Sequence, residues 1–253
     1  MTDQKTVIVT GAGSGIGAAT ARRFSADGWN IVLNGRTRSK LDKVAADLPD
    51  AHTLVVEGDV SKPADAKRIV DETASRFRGL DCLVNNAGVA KMGRAGHLSR
   101  EDFETVMSVN VTGVYNMVTE ALPHLEASQG SVVNVSSVSG IGGDWLMFGY
   151  NTAKGAVSNM TRAMALDLGQ ARVRTNAVAP SLTVTDMSTG VVENESLLAK
   201  FRERIPMGRP AEPEEVANVI AFLAGPDAAF VNGVVLPVDG GLSASNGQPN
   251  FGA

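Results

Sequence analysis

Short apolar runs alternate with longer amphipathic stretches along the whole chain. The runs are almost continuous in Val, Ile and Leu, which is typical of parallel strands covered on both faces. This pattern predicts seven strands, at Thr6–Thr10, Asn30–Asn34, Thr53–Glu57, Asp81–Asn85, Ser131–Ser136, Arg172–Val178 and Val234–Val238. Helical periodicity predicts helices at Ile16–Ala26, from Lys62 to about Phe77, at Met147–Leu168 and at Pro213–Leu223.

The repeated strand–helix alternation predicts a Rossmann-type, doubly wound α/β fold with a seven-stranded parallel sheet, because parallel neighbours need crossover connections. No linker or repeat divides the sequence, so we expect a single domain over residues 1–253. Residues 180–210 are irregular apart from a short helix at Ser196–Arg204, and their place after a strand predicts a substrate loop. Residues 240–253 form an aperiodic tail that either covers a neighbouring subunit's site or stays disordered.

Composition excludes several classes of function. The formal net charge is −4 and no basic block occurs, which argues against nucleic acid as a partner. The single cysteine, Cys82, and the widely separated His52, His97 and His124 give neither a disulfide framework nor a metal-ligand spacing. No apolar run reaches the length of a membrane span, and the first run, at Val7, leaves no room for a leader. We therefore expect a cytoplasmic protein without a metal or a membrane partner.

A glycine-rich stretch, Thr10–Gly17, lies between the first strand and the first helix. Glycines there allow a tight turn and let backbone amides approach a pyrophosphate, while the helix N-terminus favours its negative charge. The spacing departs from the common G-x-G-x-x-G string. The stretch predicts a dinucleotide site formed by Gly11, Ser14, Gly15, Ile16 and Gly17.

The end of the second strand bears on the choice of cofactor. An acid there would bind a ribose 2′-hydroxyl and favour NAD, but the chain reads Asn34-Gly35-Arg36 and has none. Gly35 leaves space, and Arg36 can pair with a 2′-phosphate and stack on the adenine end. This favours NADP, with NAD as the alternative if Arg36 is only a solvated residue at a strand end.

Two further strand ends carry candidate cofactor contacts. After the third strand, Asp59 either accepts a hydrogen bond from an adenine amino group, with Val60 packed on the ring, or caps the helix that opens near Ser61. After the fourth strand comes Asn85-Asn86-Ala87-Gly88. Its amides could tie loops together, and Gly88 lets the backbone approach the cofactor.

Candidate catalytic groups follow the fifth strand. Tyr150 and Lys154 are four residues apart and share a face of a predicted helix. The lysine ammonium is expected to lower the phenol pKa and to hold the nicotinamide ribose hydroxyls. Of Ser136 and Ser137, thirteen residues before the tyrosine, we expect one to donate to a substrate carbonyl and the other to cap a turn. Asn110, in a poor helix-forming context, is either a packing amide or a kink that holds a water.

Together these motifs resemble the short-chain dehydrogenase/reductase family, in family order across nearly the whole chain. The resemblance implies that Tyr150 is the general acid/base, that Lys154 lowers its pKa and binds the ribose, and that Ser137 orients the substrate. It also implies that Asn110 holds a proton-relay water and that Gly11, Gly15 and Gly17 form the pyrophosphate loop.

One motif departs from the family. A Pro-Gly usually follows the sixth strand, and here the pair is Pro180-Ser181. Serine has less backbone freedom than glycine, so the geometry of this loop is in question. The later part of the motif persists as Thr183 and Thr185, positions that resemble nicotinamide-contacting residues.

The stretches 139–145, 179–182 and 239–249 are similar to a subgroup of the family, the meso-2,3-butanediol dehydrogenases or acetoin (diacetyl) reductases. The resemblance implies a small vicinal diol or hydroxyketone as substrate, although that subgroup usually carries an acid at the second strand's end and uses NAD. Trp145 and Met187 are candidate pocket walls. Relatives of this kind are mostly homotetramers, joined through the helix of the Tyr–Lys pair and through the last helix and strand.

Two rival functions remain open. A 3-oxoacyl-thioester reductase shares every catalytic motif, but acyl carrier binding would want a basic entrance, and Arg94 and Arg100 are scattered. A non-catalytic cofactor-sensing protein on the same fold would typically lose the Tyr or the Lys, and both are intact. A hydrolase is disfavoured because no G-x-S-x-G elbow occurs.

Overall fold

The computed structural model describes residues 4–248. Its strands are β1 Thr6–Thr10, β2 Asn30–Gly35, β3 Thr53–Glu57, β4 Cys82–Asn85, β5 Ser131–Val135, β6 Arg174–Pro180 and β7 Val235–Val238. Its helices are α1 Gly15–Ala26, α2 Arg38–Ala45, α3 Pro63–Phe77, α4 Arg100–Met107, α5 Gly113–Ser128, α6 Phe148–Leu168, α7 Thr189–Val192, α8 Glu195–Arg204 and α9 Pro213–Ala224.

All seven strands form one parallel sheet in the order β3-β2-β1-β4-β5-β6-β7. The strand order reverses between β1 and β4, so the connections that leave these two strands diverge to opposite sides. In open α/β sheets a ligand crevice forms at this point, beyond the carboxyl ends of the strands. The predicted doubly wound α/β fold is confirmed.

Apolar side chains fill a core on each face of the sheet. In β1, Val7 and Val9 point to one face and pack with Phe24 of α1 and Ile220 of α9. Ile8 points to the other face, into a core shared with α3, α5 and α6. All three β1 side chains are fully buried. A continuous apolar run is therefore what a central strand with two covered faces requires.

Most predicted bounds agree with the structure to within two residues, and one strand is displaced. The sixth strand begins at Arg174, two residues later than predicted, because Arg172 has a left-handed φ of +59° that closes the turn after α6. The predicted tail is described only to residue 248, with a short 3₁₀ turn at Leu242–Ala244, and its last five residues lie outside the described part. No helix within residues 4–248 has both the length and the hydropathy to cross a bilayer.

Candidate active site

A cavity of about 410 Å³ opens at the carboxyl ends of β1, β4, β5 and β6. It collects most of the residues that the sequence motifs single out, although these come from distant parts of the chain. The sequence-predicted residues that line it are Gly11, Ser14, Gly15, Ile16, Asn86, Ala87, Gly88, Ser137, Tyr150, Lys154, Pro180, Thr183 and Thr185.

The glycine loop, residues 11–17, has a backbone that other residues would not adopt without strain. Gly11 and Gly15 have φ values of +66° and +51°, in the left-handed region. A Cβ on Gly17 would lie 2.3 Å from the carbonyl oxygen of Gly11, so this glycine is needed for the helix to pack on the loop. Helix α1 begins at Gly15, and its first N–H groups point out of the helix toward the cavity mouth. The loop therefore fits a dinucleotide pyrophosphate.

Thr10 and Asn86 join the two loops that flank the strand-order reversal. The Asn86 side-chain amide donates to the carbonyls of Thr10 and Gly11, at 2.9 and 3.2 Å. The Thr10 hydroxyl accepts from the backbone N–H groups of Asn86 and Ala87, both at 3.0 Å. The Asn85 side chain points away and donates to Asn134 at 2.9 Å. The expectation that amides here tie loops together is confirmed.

The two serines after β5 have different surroundings. The Ser136 hydroxyl is buried against α6, where it donates to the Lys154 carbonyl at 3.1 Å and lies 2.7 Å from the Ser158 hydroxyl. The Ser137 hydroxyl lines the cavity together with Tyr150, and it also accepts from the Ser139 N–H at 3.1 Å as the N-cap of the turn Val138–Gly140. Ser136 is thus a buried packing serine, and Ser137 both caps a turn and is placed to meet a substrate together with Tyr150.

Lys154 lies one helical turn below Tyr150, with its Nζ 5.6 Å from the centre of the tyrosine ring. Its Nζ donates to the Val135 carbonyl at 2.7 Å. A Cβ on Gly88 would lie 3.6 Å from the same Nζ, so the absence of a side chain there keeps this end of the cavity open. Burial lowers the pKa of Lys154 to about 8, and the ammonium form still predominates at neutral pH.

The phenol pKa differs from the sequence-based expectation. Burial raises the pKa of Tyr150 to about 12, the neighbouring Ser137 hydroxyl opposes the rise, and the negative charge of Asp144 adds to it. The Lys154 ammonium is directed to the Val135 carbonyl, and the net shift of the tyrosine pKa is upward. At neutral pH the tyrosine carries its proton, which is the form that a general acid needs.

Asn110 lies in a π-helical turn, Ser108–Thr112, that joins α4 to α5. Its side chain accepts from the Val89 N–H at 2.8 Å and donates to the Val89 carbonyl at 2.9 Å. Its Oδ1 would be 3.2 Å from a Cβ on Gly88. Asn110 is thus both a packing amide and part of a helix irregularity beside the cavity, a feature that often marks functional sites.

Four predicted cofactor residues do not line this cavity: Gly17, which packs under the glycine loop, and Arg36, Asp59 and Val60. Asp59 Oδ1 accepts from the backbone N–H and the hydroxyl of Ser61, at 3.0 and 2.7 Å, which is a local turn before α3 and not a cap on it, because the N-cap residue of α3 is Lys62. The Val60 side chain is buried in the core against Gly113 instead of facing a ligand, which corrects the expectation that it packs on a ring. Arg36 is exposed immediately after β2.

A glycine at position 35 is explained by packing as well as by the space that it leaves for a cofactor. A Cβ on Gly35 would lie 3.2 Å from the Leu41 side chain of α2. Gly35 therefore lets α2 settle on β2, and this brings the residues that follow β2 over the glycine loop.

The Pro180-Ser181 departure is accommodated without strain. Ser181 does not have a left-handed φ, and its backbone N–H donates to the Val238 carbonyl at 3.3 Å, continuing the ladder between β6 and β7. Beyond it, the Thr185 side chain faces the glycine loop, since a Cβ on Gly15 would lie 2.8 Å from Thr185 Cγ2. A serine is therefore accommodated at this position without strain, and Thr183 and Thr185 line the cavity.

Some lining residues could not be anticipated. Asp144 reaches the cavity from the irregular segment 139–147, which we call the rim loop, and it hydrogen-bonds Ser139. Met187 lines the cavity as expected, but Trp145 is 94% exposed and points to solvent, so its role as a pocket wall is wrong. The only sequence signal for Asp144 is that it is an isolated acidic residue directly after a glycine-rich stretch.

Comparisons with known proteins agree with this geometry. A family model described as Enoyl-(Acyl carrier protein) reductase matches residues 11–243. The meso-2,3-butanediol dehydrogenase of Serratia marcescens is 49% identical over 98% of this chain and 98% of its own length. The chain is therefore similar to a curated oxidoreductase over nearly its full length.

Solved structures with bound dinucleotides are also similar. A gluconate 5-dehydrogenase from Burkholderia cenocepacia in complex with NADP and tartrate superposes with a TM-score of 0.91 at 30% identity, over 96% of each chain. A 3-ketoacyl-(acyl-carrier-protein) reductase from Brucella melitensis complexed with NADH gives a TM-score of 0.88 at 36% identity, over 94% of this chain and 98% of that one.

Proposed function

The chain belongs to the short-chain dehydrogenase/reductase family and is an NAD(P)-dependent oxidoreductase, and from that premise we propose that it interconverts a small secondary alcohol or vicinal diol with its ketone, of the acetoin, diacetyl and 2,3-butanediol type. The observation that carries this proposal is the single cavity in which Ser137, Tyr150 and Lys154 meet the glycine loop. The 49% identity to a meso-2,3-butanediol dehydrogenase supports the small-diol class.

The chemistry divides between cofactor and protein. When bound, the nicotinamide would supply or accept the hydride at the carbinol carbon. Ser137 donates a hydrogen bond to the substrate oxygen, and Tyr150 delivers a proton to it in reduction or removes one in oxidation. Both residues line the same cavity, so one substrate oxygen can meet both hydroxyls.

Lys154 and Asn110 support the proton transfer. The Lys154 ammonium lies near the Tyr150 ring and beside the open position at Gly88, where it can hold ribose hydroxyls. Asn110 fixes Val89 and thereby the backbone next to Gly88. A water beside Asn110 would pass the proton between Lys154 and solvent, the relay that the family resemblance implies.

NADP is the proposed preferred cofactor. Arg36 is exposed directly after β2, and within residues 4–248 it makes no ion pair, whereas its neighbour Arg38 is engaged by Asp42 at 2.7 Å. An unpaired guanidinium at this strand end suits a ribose 2′-phosphate. Dinucleotide contacts are proposed for the loops at 59–60, 86–88 and 180–185, with an adenine contact at Asp59 and Val60 made through the backbone or the free carboxylate oxygen.

Residues 180–210 are the proposed substrate loop, and the assembly is proposed to be a homotetramer. In support, Leu182, Met187 and Phe201 from this segment line the cavity. Light scattering of the purified protein tests the assembly, with four times the 26.3 kDa chain mass expected. A monomer at micromolar concentration would contradict it.

The rival substrate class is a 3-oxoacyl thioester, favoured by the similarity to a 3-ketoacyl-(acyl-carrier-protein) reductase. An acyl carrier is acidic and would need a basic entrance. Arg100 is paired with Glu104 at 2.7 Å, which reduces the positive charge available there. Because of this ion pair, we favour the small diol over the thioester as the substrate class. A cofactor-sensing protein ranks lower still, because the serine, tyrosine and lysine are all in place.

Turnover of a small panel tests the proposal. Acetoin, diacetyl and an acetoacetyl thioester are each offered with NADPH and with NADH, and the fall in cofactor absorbance is followed. We expect acetoin or diacetyl to be reduced with the highest kcat/KM, and NADPH to be preferred. Turnover of the thioester alone would replace the proposed substrate class, and binding of NADPH without any turnover would favour a sensing role.

A further inference from the structure

The rim loop, residues 139–147, brings a carboxylate into the cavity that the proton-transfer groups do not need. Asp144 lines the cavity together with Ser137 and Tyr150. No other acidic side chain of the rim loop is available for this role, since Asp144 is the only acid in residues 139–147. An ionised carboxylate beside a substrate site accepts hydrogen bonds but cannot donate them, and it repels anions.

The carboxylate is held in place by two sets of contacts. The Ser139 hydroxyl donates to Asp144 Oδ2, and Ser139 in turn is bonded to Ser137, whose Oγ lies 3.1 Å from Ser139 Oγ. The Asn151 side chain binds the Asp144 backbone on both sides, donating to its carbonyl at 2.9 Å and accepting from its N–H at 3.3 Å. Asn151 directly follows Tyr150 in the chain, so these hydrogen bonds fix the position of Asp144 relative to the tyrosine.

The rest of the rim loop is fixed against a neighbouring segment. Gly93 donates to the Leu146 carbonyl at 2.7 Å and accepts from the Phe148 N–H at 3.1 Å. Leu146 takes a left-handed φ of +61°, a strained conformation for a leucine, and this turns the chain back toward α6. The loop is exposed, including Asp144, and these hydrogen bonds hold the Asp144 side chain beside the cavity.

One oxygen of Asp144 remains available. Oδ2 accepts from Ser139, and within residues 4–248 Oδ1 accepts no hydrogen bond. The charge of Asp144 also reaches the reaction centre, since it adds to the rise in the pKa of Tyr150. Asp144 shares the cavity with Ser137 and Tyr150 and is linked to Ser137 through the Ser139 hydroxyl, so it lies on the same side of the cavity as the oxygen-binding groups.

We propose that Asp144 is a specificity-determining residue that accepts a hydrogen bond from a hydroxyl adjacent to the reacting carbon of the substrate. A vicinal diol or hydroxyketone satisfies it, a simple ketone leaves it without a partner, and a substrate with a carboxylate near its carbonyl is repelled. This inference rests on the proposed function and deepens it, because it states why hydroxylated neutral substrates are selected.

The test compares three carbonyl substrates of similar size in the wild-type enzyme and in Asp144→Asn and Asp144→Leu. The substrates are acetoin, which has an adjacent hydroxyl, 2-butanone, which has none, and acetoacetate, which is an anion. We expect wild-type kcat/KM to favour acetoin over 2-butanone by about tenfold or more, the worth of a hydrogen bond to a charged group. Asp144→Leu removes this preference, and both variants raise kcat/KM for acetoacetate.

Two controls separate specificity from damage to the fold. Asp50→Asn removes one negative charge at the amino end of β3, on the opposite edge of the sheet, and should leave every ratio unchanged. Asp144→Leu also removes a charge that raises the pKa of Tyr150, so the readout is the ratio of kcat/KM for acetoin to that for 2-butanone within each protein. Ser139→Ala frees the carboxylate and should lower the acetoin preference by less than Asp144→Leu does.

The outcomes distinguish this inference from the proposed function. An unchanged ratio of acetoin to 2-butanone in Asp144→Leu overturns the specificity role and leaves the small-carbonyl function standing. A wild-type enzyme that reduces the acetoacetyl thioester and none of the three small carbonyls overturns both. Loss of the acetoin preference with turnover of 2-butanone retained establishes Asp144 as the selecting group.

Discussion

The two walls of the cavity are built in opposite ways. The glycine loop and the end of β4 are held by backbone geometry, with left-handed glycines and an Asn86 amide that spans two carbonyls. The rim loop is exposed at Ile141, Trp145 and Leu146, and it is held by a few side-chain hydrogen bonds and two backbone hydrogen bonds to Gly93. Side chains added at glycines of the first wall would clash with neighbouring groups, whereas residues of the rim loop can be substituted without disturbing the sheet.

This contrast explains how one scaffold serves a constant cofactor and varied substrates. A pyrophosphate needs amide groups at set positions, which only backbone conformation can provide. A substrate is recognised by side chains, and these can be exchanged on a loop. Ser137, Tyr150 and Lys154 lie between the two walls, just after β5 and on α6.

Tyr150→Phe removes the proton donor and leaves both walls intact. We expect kcat to fall by about 10³-fold, the usual contribution of a general acid/base, with the cofactor Kd almost unchanged. Steady-state kinetics and cofactor titration measure the two quantities. Tyr115→Phe is the matched control, because Tyr115 is the only other tyrosine and is 61% exposed. Substantial activity in Tyr150→Phe would refute its role.

Gly17→Ala breaks the rigid wall. The added Cβ would lie 2.3 Å from the Gly11 carbonyl and 2.5 Å from the Asn86 amide, and neither group can retreat. We expect a loss of about 2–3 kcal/mol in the free energy of unfolding, together with weaker cofactor binding. Gly79→Ala is the control, since a Cβ there meets nothing within 4 Å. Equal stability of the two variants, measured by denaturant unfolding, would contradict the packing argument.

Lys154→Met tests the cost of burying a charge between the walls. The folded-state pKa of about 8 lies below the ordinary 10.5, so between these values the unfolded chain holds more protons. The wild type therefore gains stability relative to the variant as pH rises through this window, by on the order of 3 kcal/mol before the loss of the Val135 contact is counted.

Unfolding of both proteins near pH 7 and near pH 10 measures this change. The exposed Lys200→Met variant should show no such dependence. A stability difference between wild type and Lys154→Met that stays constant across the window would mean that Lys154 does not titrate there.

Arg36→Ala sharpens the cofactor side without altering the loop. The side chain is exposed and holds no structural contact within residues 4–248, so the fold should be unaffected. We expect the ratio of kcat/KM for NADPH to that for NADH to fall by about tenfold, since one charge-assisted phosphate contact is lost. Arg38→Ala, whose guanidinium is paired with Asp42, should change the ratio less. A wild-type preference for NADH would overturn the assignment.

Local signals predicted the sheet and the cofactor wall well. A central strand such as β1 is continuous in apolar residues because both of its faces are buried, and the spacing of Gly11, Gly15 and Gly17 reflects backbone constraints that are local in sequence. Helix α2 was not predicted, because its sequence is short and mostly charged and only Leu41 and Val44 are buried.

Contacts between distant segments could not be anticipated. The π turn at Asn110 depends on Val89, and the direction of the Lys154 ammonium depends on the Val135 carbonyl. The spacing of Tyr150 and Lys154 alone predicts a tyrosine pKa below its ordinary value, but burial raises it. The placement of Asp144 likewise depends on Ser139 and Asn151, across an irregular loop without periodicity.

Transfer of a labelled hydride is the most direct test that this enzyme reduces acetoin with Tyr150 as its proton donor. The enzyme is supplied with acetoin and with NADPH that carries deuterium at both C4 positions of the nicotinamide, and the butanediol product is analysed by NMR and mass spectrometry. We expect one deuterium per turnover on the newly formed carbinol carbon, and a yield that collapses in Tyr150→Phe. Product without deuterium at that carbon, or equal product from the Tyr150→Phe variant, would contradict it.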